Sequence, residues 1–336
     1  MSIQDTDVII IGAGPVGLFA VFECGMLGLK CHVIDALSEI GGQCTALYPE
    51  KPIYDIPGMP AVLAGDLIDS LEKQAAPFKP AYHLEQSVTA LNEHKDKTFT
   101  VTTSKGTKIK GKAIIIAAGG GAFGPNKPPL ANIADFENTS VFYACRNKEQ
   151  FRGKRLVIAG GGDSALDWAI ALSNIADTVS LIHRRDKFRA SPDSVEKLHS
   201  LASAGKIDLL TPFQLKELKG FGAQISHVAI SDLDDNMQEI ETDALLCFYG
   251  LASSLGVIEE WGLDLKSKHV LINQSTAETN RERIFAVGDV ATYDHKIKLI
   301  LTGFAECAQA AHAIYNYIHP DTPLHFEYST TKGLPA

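Results

Sequence analysis

The sequence lacks the cysteine pairs, the basic excess and the long apolar runs that define several common protein classes. Its six cysteines, at 24, 31, 44, 145, 247 and 307, form no C-x-x-C spacing, so no zinc site or paired redox motif is predicted. A net charge of −9 argues against nucleic-acid binding. No apolar run approaches the ~18 residues of a membrane span. Asp5 and Asp7 stand where a signal peptide is basic. We therefore predict a cytoplasmic protein that binds neither nucleic acid nor membrane.

Two glycine-rich turns follow apolar segments in this chain of 336 residues, a length typical of about two domains. Residues 8–11 run into glycines at 12, 14 and 17, and residues 156–159 run into glycines at 160, 161 and 162. Each unit has the order strand, glycine turn, helix. The repetition predicts an α/β fold with two Rossmann-like dinucleotide-binding domains.

The first turn has the full G-x-G-x-x-G pattern, filled by Gly12, Gly14 and Gly17, with Pro15 between them. Such a turn lets the backbone approach a pyrophosphate, and the following helix N-terminus supplies free N–H groups. Asp35 ends the next predicted strand, about 20 residues on, where a carboxylate accepts a ribose hydroxyl. A tight turn in any doubly wound sheet is the alternative, but the complete strand–turn–helix–strand–acid context favours a dinucleotide.

The second turn differs at the end of its second strand. Gly160 and Gly162 match the pattern, and Ala165 takes the third position, which the pattern permits. No acid ends the strand at 178–182; instead four basic residues follow it, namely His183, Arg184, Arg185 and Arg189. Guanidinium groups bind a 2′-phosphate through paired hydrogen bonds, so this domain should prefer NADP. A solvated basic surface is the alternative.

Two polar residues complete this second turn. Asp163 and Ser164 follow Gly162 and are included in the predicted nucleotide site. A carboxylate this close to a pyrophosphate would repel it, so we interpret Asp163 as the N-cap of the helix that follows.

Later segments carry a specific family resemblance. Asp35, the strand end at 117–119 and the segment Ala286-Val287-Gly288-Asp289 resemble the thioredoxin-reductase-like branch of the two-dinucleotide flavoproteins. The resemblance implies an NADP domain at 118–282, inserted in a FAD domain split into 1–117 and 283–336. It also implies that Asp289 accepts hydrogen bonds from the flavin's ribityl chain, and a helix N-terminus would stabilise that acid.

The redox-active disulfides of this superfamily are missing. Cys145 stands alone where thioredoxin reductases carry C-x-x-C, and Cys44 stands alone where the glutathione-reductase branch carries two cysteines. Cys44 is either a lone redox thiol or, as we favour, a small buried hydrophobe. Electrons should then pass directly from flavin to the acceptor.

The segment around Gly41-Gly42-Gln43 and Tyr48, with the tail at 326–330, closely resembles the thioredoxin-reductase-like ferredoxin–NADP reductases. The resemblance implies a homodimer, in which the tail reaches the partner subunit's flavin and Tyr328 stacks on the ring. It implies hydride transfer from NADPH to flavin N5, then one-electron transfers to ferredoxin or flavodoxin, with no catalytic acid, base or metal. The implied FAD contacts are Asp35, Gln43, Tyr48, Val88, Phe123, Asp289 and Thr330.

Two further function classes stay open at this point. One is another NADPH-dependent flavoprotein reductase or a monooxygenase, and the other is a flavin-binding redox sensor without turnover. A basic stretch at 146–155 is either a docking site for an acidic carrier or, as we favour, solvated surface.

Overall fold

The computed structural model of the protein describes residues 3–325 and 329–334. The chain forms two compact units, the first made of Met1–Ala122 with Ser253–Ala336 and the second of Phe123–Ala252. Within the described ranges, no helix is long and apolar enough to cross a membrane.

The first segment of unit one contains ten strands and three helices. The strands are β1 (Gln4–Asp5), β2 (Val8–Ile11), β3 (Cys31–Ile34), β4 (Pro52–Ile53), β5 (Val62–Leu63), β6 (Ala81–His83), β7 (Val88–Glu93), β8 (Phe99–Thr103), β9 (Lys108–Gly111) and β10 (Ala113–Ile116). The helices are α1 (Pro15–Met26), α2 (Gln43–Leu47) and α3 (Ala64–Ala75).

The chain passes from unit one to unit two within strand β11 (Ala122–Pro125) and returns to unit one within strand β20 (Leu251–Ser254). Unit two lies between them, with strands β12 (Val141–Phe142), β13 (Arg155–Gly160), β14 (Thr178–Ile182), β15 (Asp208–Leu210), β16 (Gln214–Phe221), β17 (Gln224–Ser231), β18 (Met237–Glu241) and β19 (Ala244–Phe248), and helices α4 (Asp163–Leu172) and α5 (Pro192–Ser203). The return segment of unit one holds β21 (Leu265–Lys266), β22 (His269–Leu271), β23 (Ile284–Ala286), β24 (Ala291–Thr292), α6 (Ile300–Ile318) and α7 (Ser329–Lys332).

A five-stranded parallel sheet forms the centre of unit one, in the order β23-β10-β2-β3-β6. Strands β2 and β10 are apolar at every position because both faces are covered. Val8 and Ile10 pack into one core with residues of α1 and α6. Ile9 and Ile11 pack into another, with residues of β8 and β9. The carboxyl end of this sheet carries the first glycine turn.

A second five-stranded parallel sheet, in the order β12-β19-β13-β14-β15, forms the centre of unit two. The antiparallel sheet β16-β17-β18 shares a core with it, in which Leu218 and Val228 pack with Val157 and Leu245. Both units therefore have the parallel sheets of the predicted α/β class, and each places a glycine turn directly after a central strand.

The unit bounds differ from the predicted domain bounds at the return. Residues 253–282 were predicted to belong to the inserted domain at 118–282, yet they lie in unit one. Ile258, Trp261 and Val270 pack in the same buried core as Ile9 and Ile114, which fixes this segment to the first sheet. The family resemblance implied a return at residue 283, thirty residues later than the return at Ser253.

Two histidines on neighbouring strands of unit one form a half-buried pair. Nδ1 of His32, on β3, lies 3.0 Å from Nε2 of His83, on β6. Burial lowers the pKa of both rings, and the neighbouring His83 lowers that of His32 further. One ring must donate and the other accept, so the pair favours the neutral forms.

We expect this pair to destabilise the fold in acid. The unfolded chain binds protons at about pH 6.5, whereas the folded pair binds them only below that value. The free energy of unfolding should therefore fall as the pH drops below about 6.5, until the lowered pKa values are reached. Denaturant unfolding across this range measures the slope. His83→Gln should flatten it, whereas the control His227→Gln in unit two should not; an unchanged slope in His83→Gln contradicts the assignment.

Candidate functional site

The first glycine turn, between β2 and α1, brings backbone so close to backbone that two of its glycines have no room for a side chain. Gly12 has φ +111°, and a Cβ there would lie 2.3 Å from the carbonyl oxygen of Ala117. A Cβ on Gly17 would lie 1.9 Å from the oxygen of Gly12. Helix α1 has Gly14 as its N-cap and no side-chain cap. Its first N–H groups are therefore available to an anion.

Gly42 faces this turn from the segment before α2. It has φ +58°, and a Cβ there would lie 3.1 Å from the Cα of Gly14. The N–H of Gly41 donates to the oxygen of Ala13 at 2.8 Å, which fixes the two loops against each other. Any side chain on residue 42 would press on Gly14, so this close approach of the two loops depends on glycine at both positions.

Asp35 lies at the end of β3 beside the same turn, as predicted. Its Oδ2 accepts from the N–H of Ala13 at 2.6 Å, and its Oδ1 accepts from the N–H of Leu37 at 2.8 Å. Burial raises the pKa of Asp35, and these two backbone hydrogen bonds oppose the rise. Each carboxylate oxygen keeps further acceptor capacity, which a ribose hydroxyl can use.

Gln43 and Tyr48 lie at the two ends of the short helix α2. Gln43 is its first residue, directly after Gly42, and Tyr48 is its C-cap. Burial raises the pKa of Tyr48, and nearby Cys44 and Asp289 raise it further, so this phenol stays neutral.

Asp289 lies in the single 3-10 turn Gly288–Val290 and is exposed. The helical element at whose start Asp289 lies is only this three-residue 3-10 turn, since the next α-helix, α6, begins at Ile300. The segment passes directly into β24.

The remaining predicted FAD contacts have few or no described contacts with the first glycine turn or its neighbours. Val88 begins β7, two residues after Gln86, whose N–H donates to the oxygen of Asp35 at 2.9 Å. Thr330 is exposed in α7, and no hydrogen bond described for this chain joins it to the glycine turn. Phe123 lies in β11. The side chain of Phe123 and the whole of Tyr328 lie outside what the structure describes, so their predicted contacts stay predictions.

The second glycine turn opens onto a cavity of about 610 Å³ within unit two. Its walls combine backbone of the glycine turn, basic side chains and aromatic rings. The lining residues are Asn126, Pro128, Pro129, Gly160, Gly161, Gly162, Ile182, His183, Arg184, Arg185, Lys187, Arg189, Phe213, Gln214, Leu215, Phe248, Tyr249 and Gly250. The volume lies in the range of ligand pockets.

Three predicted arginines lie on the loop that borders this cavity. Arg184, Arg185 and Arg189 are exposed, and no carboxylate in the described parts of the chain forms an ion pair with them. The backbone N–H of Arg189 donates to the oxygen of Gly161 at 2.7 Å, which folds the loop back onto the glycine turn. The arrangement therefore places guanidinium groups beside an open turn, as a phosphorylated dinucleotide requires.

His183 has a packing role in this loop. A Cβ on Gly161 would lie 2.2 Å from the imidazole ring, and the ring stacks on Phe188 at 5.2 Å. Burial lowers the pKa of His183, and Arg184 and Arg185 lower it further. A neutral imidazole shapes the cavity wall without adding to its positive charge.

The residues that open α4 do not line the cavity. The prediction that Asp163 is the helix N-cap is wrong, because Gly162 holds that position. Oδ1 of Asp163 accepts from the N–H of Ser191 at 2.8 Å and so caps the start of α5 instead. Ser164 is exposed, and Ala165 is buried because a small side chain is needed against Gly160.

Several cavity residues were not predicted from the sequence. Asn126, Phe213 and Tyr249 come from three separate segments and carried no motif. Lys187 stands between the predicted arginines, so its place in the basic run was its only signal.

All six cysteines lie in the described ranges, where each is buried and none forms a disulfide. Cys44 is 1% exposed, and burial raises its pKa to about 11, so its thiol is protonated at neutral pH. A reactive thiol needs a lowered pKa and access to solvent. The geometry therefore agrees with the interpretation of Cys44 as a buried hydrophobe.

The basic stretch at 146–155 is partly neutralised within unit two. Arg152 pairs with Glu149 at 2.7 Å, and Arg155 pairs with Asp243 at 2.6 Å. These contacts favour the solvated surface over a carrier-docking site.

A family comparison matches this architecture. Residues 6–313 match the family described as pyridine nucleotide-disulphide oxidoreductase. Among solved structures, thioredoxin reductase from Lactococcus lactis has a TM-score of 0.77 at 24% identity, covering 94% of this chain and 99% of its own. Thioredoxin reductase from T. acidophilum has the same TM-score at 22% identity, covering 93% of this chain and 98% of its own. These likenesses confirm the predicted α/β class with two Rossmann-like units.

Curated relatives give a more specific result. Ferredoxin--NADP reductase from Rickettsia akari is 57% identical over 329 residues, covering 98% of both chains. The enzyme of that name from Rhodospirillum rubrum is 54% identical over 334 residues, covering 98% of this chain and 97% of its own. The chain therefore belongs to the pyridine nucleotide-disulphide oxidoreductase family and, within it, to the group of these ferredoxin--NADP reductases. Membership confirms the predicted enzyme class and implies FAD and NADP(H) as cofactors, as the two turns indicated.

We expect Gly42→Ala to weaken FAD retention, because its methyl group would press on Gly14 and displace the two loops that border the N-terminus of α1. Gly58→Ala is the matched control, since Gly58 also has positive φ but nothing lies within 4 Å of its missing Cβ. Both changes place a side chain at positive φ, 58° at Gly42 and 79° at Gly58. Equilibrium binding of FAD to each apoprotein measures the difference; equal losses in the two variants would show that backbone strain alone is responsible.

Proposed function

We propose that the two turns hold FAD in unit one and NADPH in unit two, and that this enzyme passes electrons from NADPH to a low-potential ferredoxin or flavodoxin. The observation that carries the proposal is the contrast between the turns. The first is paired with the carboxylate of Asp35, whereas the second opens onto a cavity edged by free arginines. The relatives' printed name supports ferredoxin as a partner.

In this proposal the residues of unit one bind and orient the flavin. The uncapped N-terminus of α1 binds its pyrophosphate, Asp35 accepts a ribose hydroxyl, and Tyr48 and Asp289 lie toward its reactive end. Bound FAD would supply the redox chemistry, namely hydride acceptance from NADPH and one-electron release. No side chain is required to transfer a proton. The chain supplies geometry and electrostatics, and its six buried thiols stand outside the electron path.

In unit two, Arg184, Arg185 and Arg189 bind the 2′-phosphate, while the open end of α4 binds the pyrophosphate. Helix α4 has no side-chain cap at Gly162, so its first N–H groups are available to the ligand. A homodimer, a cytoplasmic location and a flavin contact from the tail with Tyr328 and Thr330 complete the proposal, as the family resemblance implies.

Replacing Arg184 and Arg185 together by Ala should raise KM for NADPH at least about tenfold and change KM for NADH little. Hydrogen bonds to charged groups contribute about 1.5–3 kcal/mol each, and only NADPH carries the 2′-phosphate. Steady-state kinetics with both nucleotides and an artificial acceptor measure this. Lys206→Ala, a change in the same unit but away from the cavity lining, is the control. Equal losses with both nucleotides would assign the two arginines to folding.

A variant with all six cysteines changed to Ala should keep NADPH-dependent reduction of ferredoxin when it is folded and loaded with FAD. Small cavities left by the buried thiols should lower its stability without interrupting electron transfer. The Cys44→Ala and Cys145→Ala double variant tests the two superfamily disulfide positions with less loss of stability. Fast flavin reduction by NADPH combined with loss of ferredoxin reduction would place a thiol on the path and overturn the proposed function.

A further inference from the structure

A buried ion pair lies directly behind the proposed flavin-binding acid. The side chains of Lys296 and Glu306 are each 3% exposed, and Nζ of Lys296 contacts Oε1 of Glu306. Glu306 comes from the middle of α6, whereas Lys296 comes from the loop that precedes this helix. Two opposite charges removed from water are costly unless they make good contacts with each other and with further polar groups.

Two of those further groups belong to one residue, Gly288, and the phenol of Tyr293 adds a side-chain hydrogen bond with Glu306. The N–H of Gly288 donates to Oε2 of Glu306 at 2.7 Å, and its carbonyl oxygen accepts from Nζ of Lys296 at 2.9 Å. The ion pair therefore binds both backbone polar groups of the residue that precedes Asp289. Lys296 also lies 5.2 Å from the ring centroid of Tyr293, which encloses the ammonium group.

Gly288 needs such support because the sheets on either side do not hold it. Strand β23 ends at Ala286, and β24 begins at Ala291, where it pairs with β22. Gly288 between them has φ +75°, in the left-handed region. Its missing side chain leaves room for Val16 of α1, since a Cβ there would lie 3.3 Å from the Val16 methyl groups. The ion pair thus fixes the only left-handed residue of the 3-10 turn that carries Asp289.

We propose that Lys296 and Glu306 are positioning residues for FAD, which hold the Gly288 peptide so that Asp289 points at the bound flavin; this rests on the proposed FAD site. The pair touches no ligand itself. Because its two charges are opposite, its role is geometric, and Asp289, which is exposed, is left to contact the flavin's hydroxyl groups.

Two variants separate positioning from general stability. Lys296→Met removes the donor to the Gly288 oxygen and leaves a buried carboxylate without its cation. The double variant Lys296→Met, Glu306→Gln has no charge at either position. Its amide oxygen at position 306 can still accept a hydrogen bond from the Gly288 N–H. Lys266→Met is the matched control, because Lys266 pairs with Asp294 at 3.2 Å on the exposed surface of the same unit.

The measurements are the FAD dissociation constant of each apoprotein, the absorbance spectrum of the bound flavin and denaturant unfolding of the apoprotein. We expect Lys296→Met to weaken FAD binding by about tenfold or more, the order of effect seen when partners behind a ligand-binding group are lost. The neutral double variant should regain apoprotein stability yet keep weakened FAD binding and an altered spectrum. Lys266→Met should match wild type in all three.

The proposal is overturned if the double variant regains FAD binding and spectrum together with stability, or if folded Lys296→Met binds FAD like wild type. If Lys296→Met does not fold, the double variant alone decides between these outcomes. A wild-type chain that takes up no FAD would instead overturn the proposed function. If the wild-type chain binds FAD and reduces ferredoxin, and the variants bind FAD equally well, only the positioning role is overturned.

Discussion

The close approach of bare backbone at the end of β2 is the constraint on which unit one depends. Gly12 contacts the carbonyl of Ala117, and Gly17 contacts Gly12, so β2, β10 and α1 can meet only where side chains are absent. That contact leaves the N-terminus of α1 uncapped and brings the N–H of Ala13 within reach of Asp35. The same geometry recurs in unit two, where Gly160 contacts the oxygen of Phe248. Each turn therefore serves packing and ligand binding through the same glycines.

The sequence could predict those parts of the molecule in which a local pattern has one physical solution. The apolar run of β2 had to be buried on both faces, and the glycines after it had to form a tight turn, so the fold class and the place of Asp35 followed. The position of the arginines after β14 could be predicted for a similar reason. Residues that follow a strand of a parallel sheet lie at its carboxyl edge, where ligands bind. Family resemblance added Gln43, Tyr48 and Asp289, of which the first two lie at the ends of α2, directly after Gly42.

What could not be predicted depends on contacts between distant segments. Asp163 is of a residue type that often caps helices. Whether its side chain caps its own helix or contacts the start of α5 depends on where Ser191 lies. The return at residue 253 depends on Trp261 and its neighbours packing against β2, which no local pattern encodes. Lys296 and Glu306 stand ten residues apart and form no motif, so their joint hold on Gly288 emerges only when α6 packs beside the turn.

The burial of all six cysteines has a consequence for oxidative damage. Oxidation by peroxide begins with an accessible thiolate and proceeds through sulfenic acid to irreversible products. Enclosed thiols with raised pKa values, as at Cys44, Cys247 and Cys307, offer little thiolate for that first step. Because its thiols are buried, peroxide should reach the exposed Met59 and Met237 before it reaches any cysteine. Oxidative damage to this protein should therefore begin as methionine sulfoxide on the surface, which is a reversible product.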